Sequence, residues 1–563
     1  MILFPFRYLW WLVARLRSRL GKPPAYVMFV LEEDLPALPD PPRPLWQRFT
    51  SRPRLSSKEL GERFNLIARN PQIKGVVLHL RPTGMTMATL EDLRELVAKL
   101  RKSGKRVVAF APFYTTGTYY LACACDEILL MPSGNVAALG FSTTGMFMAD
   151  GLRTIGLAAD FVQISPYKSA PDILTKSKMS DEYRDQVTWL VESQYKELIG
   201  AIVEGRSLDE SGARALIDRS PYGDRQAYEE RVVDGLVAEE KLPDHLSRHF
   251  GRAATIATWE QAKASLQVPR PRFRRGRYVA VIRIEGTLVD GRSGQLPIKP
   301  PIEVPLFGED RSGDLTVVQA ARQIATDKRA AATVVYVNSR GGSSTASEAM
   351  RQAIEVIAAR KPVVVVMGPA AASGGYWVST AGSWIVARPS TLTGSIGVWS
   401  GKLVTGGVWT KLLFNRETIA LGEHATMLSD DRPFTEEERK IVRREIERIY
   451  AYFLNLVAKA RKMRADQVVP VAEGKVWTGR QALDRKLVDE MGGLDAGIRK
   501  AREMARLSDD AVVHEVRSPK RMISPRSEAA TAAGWLGFLV DGVKLLSRAP
   551  ALAVMEYLPR APL

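Results

Sequence analysis

Short apolar runs alternate with longer segments of helical period along the second half of the chain. Tyr278 to Ile284 alternates or runs apolar as a strand does, and Leu315 to Thr326 has the spacing of an amphipathic helix. A strand is predicted at Thr333 to Val337, then a Gly-Gly turn at Gly341-Gly342, a helix from Thr345 to Arg360 and a buried strand at Val363 to Met367. Thr435-Glu436-Glu437-Glu438 has the capping-box pattern that opens a helix. Strands alternating with helices predict an α/β fold, a mainly parallel sheet wrapped by helices.

The pattern occurs twice. Tyr119-Tyr120-Leu121-Ala122, Glu127 to Ser133 and Leu139-Gly140 recur as Tyr376-Trp377-Val378-Ser379, Trp384 to Ser390 and Ile396-Gly397, at a constant offset of 257 residues. The same offset places Gly84 on Gly341 and Glu91 on Glu348. Further on, Tyr195 falls on Tyr450, Arg225-Gln226-Ala227 on Arg480-Gln481-Ala482 and Val233-Asp234 on Val488-Asp489, now at an offset of 255. A long-period duplication means two copies of one domain rather than a solenoid of short repeats. The expected organisation is an N-terminal segment at 1–24, a first repeat at 25–250, a basic linker at 251–277, a second repeat at 278–510 and a C-terminal extension at 511–563. At 563 residues the chain is long enough for that division.

Composition refines this picture at the ends. The N-terminus, Met1 to Ala14, is apolar with Tyr8, Trp10 and Trp11, but Arg7 interrupts it and it is shorter than the ~20 residues of a spanning helix. Arg15, Arg17, Arg19 and Lys22 follow. This combination predicts a segment lying at a membrane surface rather than a span or a cleaved leader. The net charge of +18 is spread along the chain, with a second cluster at Arg270, Arg272, Arg274, Arg275 and Arg277. It suits an anionic membrane surface and forms no nucleic-acid motif, so no nucleic acid is expected as a partner. Ala530 to Leu558 is apolar again and could dock on a membrane, another subunit or its own chain. The only cysteines, Cys123 and Cys125, read as buried thiols. No HExxH, CxxC or Walker pattern occurs, so neither metal nor other cofactor is expected.

The duplication also singles out chemistry. Ser373 lies in Ala371-Ala372-Ser373-Gly374-Gly375-Tyr376-Trp377, after the apolar run. A serine followed by two glycines there is either an exposed nucleophile at a strand-to-helix turn or an ordinary helix cap. Its counterpart in the first repeat is Thr116. Conversely Lys168, in Ser165-Pro166-Tyr167-Lys168-Ser169-Ala170, has Ala425 as its counterpart. Serine stands in one copy and lysine in the other. A lysine amine, ordinarily titrating near ~10.4, acts as a base at neutral pH only where burial lowers it. His424 is the only histidine near a motif and is the rival base.

Four stretches in chain order, Tyr167 to Ala170, Ala371 to Trp377, Thr391-Leu392-Thr393-Gly394-Ser395-Ile396-Gly397-Val398 and Val476 to Ala482, resemble the long, duplicated form of bacterial signal peptide peptidase, or protease IV. The resemblance covers about residues 26 to 505. It implies tandem domains of the fold shared by Clp protease and crotonase, with a Ser–Lys dyad of Ser373 as nucleophile and Lys168 as general base. Ser395 would hold the lysine amine. The oxyanion hole would use the N–H of Gly374 and one from Gly341 or Gly342, in the turn Asn338-Ser339-Arg340-Gly341-Gly342-Ser343. The family usually has proline where this chain has Arg340, which leaves that turn less rigid. The resemblance further implies remnant signal peptides as substrates, a homotetramer, and a bacterial inner-membrane location. Two other readings stay open: an inactive membrane scaffold of the same fold, and a crotonase-like acyl-CoA enzyme.

Overall fold

The computed structural model describes residues 8–9, 11–13, 15–16, 21–40, 53–248, 254–266, 276–294, 310–517 and 551–555. Much of the N-terminal segment, Arg270, Arg272, Arg274 and Arg275 of the basic linker, and most of Ala530 to Leu558 lie outside the described residues. Among the described residues no helix is long and apolar enough to cross a membrane. The chain divides into two compact units, one of residues 1–143, 194–275 and 559–563, the other of 144–193 and 276–558.

The first unit is built on a sheet whose strands lie in the order Tyr222–Gly223, Glu127–Ala137, Arg106–Thr115, Gly75–Leu80, Tyr26–Leu31 and Ile256–Thr258. All neighbours on this path are parallel except Tyr222–Gly223. Every residue of Gly75–Leu80 is buried, as a parallel strand covered by helices on both faces requires. Cys123 and Cys125 are buried and unbonded to each other.

The second unit repeats the plan. Its main sheet runs Val476–Thr478, Leu392–Gly394, Val363–Ala372, Ala330–Ser339, Tyr278–Glu285 and Val513–Glu515. Val335 pairs in parallel with both Val365 and Ile282, which buries the valine-rich runs on both sides. The strand expected at Val363 to Met367 continues to Ala372 because it changes partner: Val364 to Val366 pair with Trp384 to Val386, and Ala370 to Ala372 with Leu392 to Gly394. The helix Glu436–Arg461 opens on the Thr435 capping box, with Thr435 Oγ1 accepting from Glu438 N at 3.2 Å. A second sheet in this unit carries Arg311–Gly313, Thr287–Val289, Gly341–Ser343, Leu552–Val554, Trp399–Val404 and Ala158–Gln163, in that order.

The duplication reaches individual hydrogen bonds. Tyr119 donates its hydroxyl to Val232 O at 2.8 Å, and Tyr376 to Leu487 O at 2.9 Å. Asp234 accepts from Ile128 N and Arg206, and Asp489 from Ile385 N and Arg461. Arg231 and Lys486, at matching positions, are both left-handed, with φ of 58° and 59°. Residues 144–193 come from the first repeat by sequence, yet they pack within the second compact unit.

Candidate active site

The strand Val363–Ala372 ends in the second unit's core, and the chain reverses into the short helix Gly374–Ser379. Ser373 makes the reversal with φ 56° and ψ −114°, a conformation an L-residue adopts only when its surroundings enforce it. Several contacts enforce it here. Ser373 N donates to Gly394 O at 2.8 Å, and Trp377 N closes the first turn onto Ser373 O. Trp377 Nε1 donates to Glu348 at 2.8 Å, tying the helix to its neighbour. Burial pushes the Glu348 carboxyl up, but hydrogen bonds from Arg351, Trp377 and Tyr452 outweigh it and bring the group to about 2. Gly375 is needed because a Cβ there would lie 2.7 Å from Ser339 O. Ser373 occupies the cap position, yet its hydroxyl caps nothing.

That hydroxyl faces Lys168. Lys168 Nζ lies 2.6 Å from Ser373 Oγ, 2.8 Å from Ser395 Oγ and 2.9 Å from Ser395 O. The lysine is 1% exposed, and burial is the cause that pushes its amine well below the ordinary value of 10.5. Its three hydrogen-bond partners are hydroxyl and carbonyl oxygens, none of them a carboxylate that would hold the proton on.

The lysine arrives on a separate segment. Ala158–Gln163 pairs antiparallel with Trp399–Val404, with Gln163 opposite Trp399, and Ile164 N donates to Val398 O. Ser165 Oγ then bonds Glu473 O. Gly474, left-handed at φ 79°, lies against Lys168 so closely that a Cβ would meet the lysine N, Cα and Cβ at 2.7 Å. Gly474 N donates to Ile396 O and Ser395 N to Lys475 O, which holds Ser395 at φ 49°. The sequence gives no sign of Gly474's role, since its requirement arises only from the approach of a segment some three hundred residues away.

The three glycines expected at the oxyanion hole lie beside this group. Gly374 is the first residue of its helix, where the N–H has no acceptor within the helix. Gly341 and Gly342 have φ of 112° and 157°, and a Cβ on Gly342 would lie 2.1 Å from Leu288 O. Gly341 N donates to Ser339 Oγ at 3.1 Å. His424 lies on an exposed stretch and is not among the hydrogen-bond partners of Ser373 or Lys168. The structure therefore brings Ser373, Lys168 and Ser395 together and sets His424 apart.

A buried apolar cluster adjoins the serine's strand. Ala370 and Ala372 of that strand pack with Leu190, Leu392, Val476 and Met555, against the partly buried Trp189. Trp189 donates to Val476 O and stacks on Trp477 at 5.1 Å.

The family model described as Peptidase family S49 matches residues 99–251 and 355–508. The chain is similar to Protease 4 of Salmonella typhi, at 32% identity over 448 residues, covering 77% of this chain and 70% of that protein. It is similar to Protease 4 of Haemophilus influenzae at 29% identity, with 79% and 72% covered. The chloroplastic serine protease SPPA of Arabidopsis thaliana is 28% identical, with 80% and 66% covered.

Proposed function

The chain belongs to peptidase family S49 and is a serine peptidase of the long, duplicated form, and on that premise we propose that it works as an endopeptidase through a Ser373–Lys168 dyad. The single observation that supports this reading most strongly is the 2.6 Å contact between a buried amine and a serine hydroxyl that caps nothing. Neutral Lys168 takes the Ser373 proton as Oγ attacks the scissile carbonyl. The resulting oxyanion accepts hydrogen bonds from Gly374 N–H and from the Gly341–Gly342 turn, where Gly341 has to share its N–H with Ser339. Lys168 returns the proton to the leaving amine, and a water activated by the same amine hydrolyses the acyl-enzyme. Ser395 keeps the amine aimed at Ser373 through both steps.

Apolar peptides are the proposed substrate class, in keeping with the apolar side chains of Ala370, Ala372, Leu392, Val476, Leu190 and Met555 packed around the serine's strand. Remnant signal peptides, attachment to a membrane surface, and assembly as a homotetramer belong to the same proposal and rest on the family resemblance. The test is hydrolysis of an apolar peptide ester by the wild type, with Ser373→Ala and Lys168→Ala both inactive. An active Lys168→Ala protein with an inactive His424→Ala protein would overturn the assignment of the base.

A further inference from the structure

The second sheet of the second unit is completed by a piece of the chain's own C-terminus. Leu552–Val554 lies between Gly341–Ser343 and Trp399–Val404, antiparallel to both. Gly341 stands opposite Val554, Gly342 opposite Ala553 and Ser343 opposite Leu552. Met555 N donates to Arg340 O at 2.7 Å, and Ser344 N to Ala551 O at 3.3 Å. Without this strand, Gly341–Ser343 and Trp399–Val404 would face one another across roughly two strand spacings, about 9.6 Å, with unpaired edges. That is the width an extended peptide fills.

The location matters more than the pairing. Gly341 and Gly342 form the turn proposed for the oxyanion hole. Met555 is buried among Ala370, Ala372, Leu392, Val476 and Leu190, and Ala372 directly precedes Ser373. The segment Ala551-Leu552-Ala553-Val554-Met555 is uncharged, in a chain where a quarter of all residues are charged. Strand addition of this kind draws affinity from main-chain hydrogen bonds and specificity from side-chain pockets.

We propose that residues 551–555 are a tethered peptide ligand of the catalytic groove, packing Met555 against Ala370 and Ala372 of the strand that leads to Ser373 and competing with incoming substrate. The proposal rests on the peptidase reading for its consequence, and on the strand pairing and the burial of Met555 for the occupancy itself. A tethered ligand works at an effective concentration of about millimolar order, so it raises the apparent KM without touching the dyad.

The experiment has two arms, both on the full chain. Hydrogen exchange is compared between Ser373→Ala and the same protein carrying Met555→Asp. The expected result is at least about tenfold faster exchange at residues 553–555 and at Gly341–Ser343 when Met555 is replaced. In the active protein, Met555→Asp should lower KM for a small apolar peptide ester about tenfold with little change in kcat, and the free peptide of residues 551–555 should inhibit that variant competitively. Unchanged exchange together with unchanged KM in an active enzyme overturns the tether and leaves the peptidase reading standing. Exchange that depends on Met555, in a protein that hydrolyses no ester with or without the substitution, upholds the tether and overturns the peptidase reading.

Discussion

The same strand-to-helix junction occurs in both units, but the helix opens one position later in the second, on Ser373 rather than on the counterpart of Thr115. In the first unit the strand ends at Thr115, which caps the helix Thr116–Ala122 in ordinary extended geometry, φ −83° and ψ 173°. Thr116 Oγ1 is spent on Gly140 O at 3.2 Å. In the second unit Ser373 stands where Thr116 does, but takes a positive φ and leaves its hydroxyl free of any capping bond. The supports around the junctions match: Tyr119 and Tyr376 make the same bond, and so do the Arg206–Asp234 and Arg461–Asp489 pairs. One scaffold therefore holds either a relaxed cap or a strained serine whose buried hydroxyl faces Lys168. What decides between them is the turn itself, together with Gly375 and the amine of Lys168.

The largest expected effects attack that difference directly. Ser373→Ala and Lys168→Ala should each lower ester hydrolysis by about 10⁴-fold or more, whereas Thr116→Ala leaves it within about twofold. Ser373→Thr, which installs the first unit's residue, should come close to the same loss. A β-branched residue resists φ near 56°, so this variant should also be destabilised by about 1–3 kcal/mol in denaturant unfolding.

Gly474→Ala comes next. The added Cβ meets the backbone of Lys168, at a left-handed φ that alanine resists, so about 10²-fold loss of activity and about 1–3 kcal/mol of stability are expected. An unaffected variant would mean that Lys168 is not held by this contact.

How much of this the sequence discloses depends on range. The two repeats, the parallel sheets and the Thr435 cap are local or periodic signals, and all are present in the structure. The prominence of Ser373 and Lys168 was legible because each stands in one repeat alone. The positive φ values of Ser373 and Ser395 were not, since neither residue favours them without its neighbours. Gly474 was invisible for a related reason: among many glycines, only the approach of the Lys168 segment marks it. The strand at residues 552–554 carries an apolar signal equally compatible with a membrane or another subunit, and its pairing with Gly341–Ser343 of its own chain is visible only in the structure.

Ser395→Ala should have a smaller effect, about 10-fold in kcat/KM, with a diagnostic pH signature. The proposed dyad requires neutral Lys168, so activity is expected to rise with pH through the lysine's lowered pKa. Ser395 Oγ accepts from Nζ and so favours the charged amine; its removal moves this acid limb to lower pH. A limb that moves upward would contradict the assigned bond.

The linkage to stability has a defined sign. Between the lowered pKa of folded Lys168 and the ordinary value of 10.5, the unfolded chain binds a proton that the folded chain does not. The lysine therefore costs stability across that window, and the cost fades as pH rises toward 10.5. Lys168→Met should consequently raise the melting temperature near neutral pH while abolishing activity. Smallest in its effect on turnover is the paired test of the shared scaffold. Arg206→Met and Arg461→Met should each cost about 1–3 kcal/mol in stability and leave kcat nearly unchanged.

The measurement that bears most directly on the account is the rate of covalent labelling by an organophosphonate, read by intact and peptide mass as a function of pH. One adduct is expected, on Ser373, forming faster as pH rises through the lysine's lowered pKa, and slowed by orders of magnitude in Lys168→Ala. Labelling of Lys168→Ala at the wild-type rate, or its loss in His424→Ala, would contradict it.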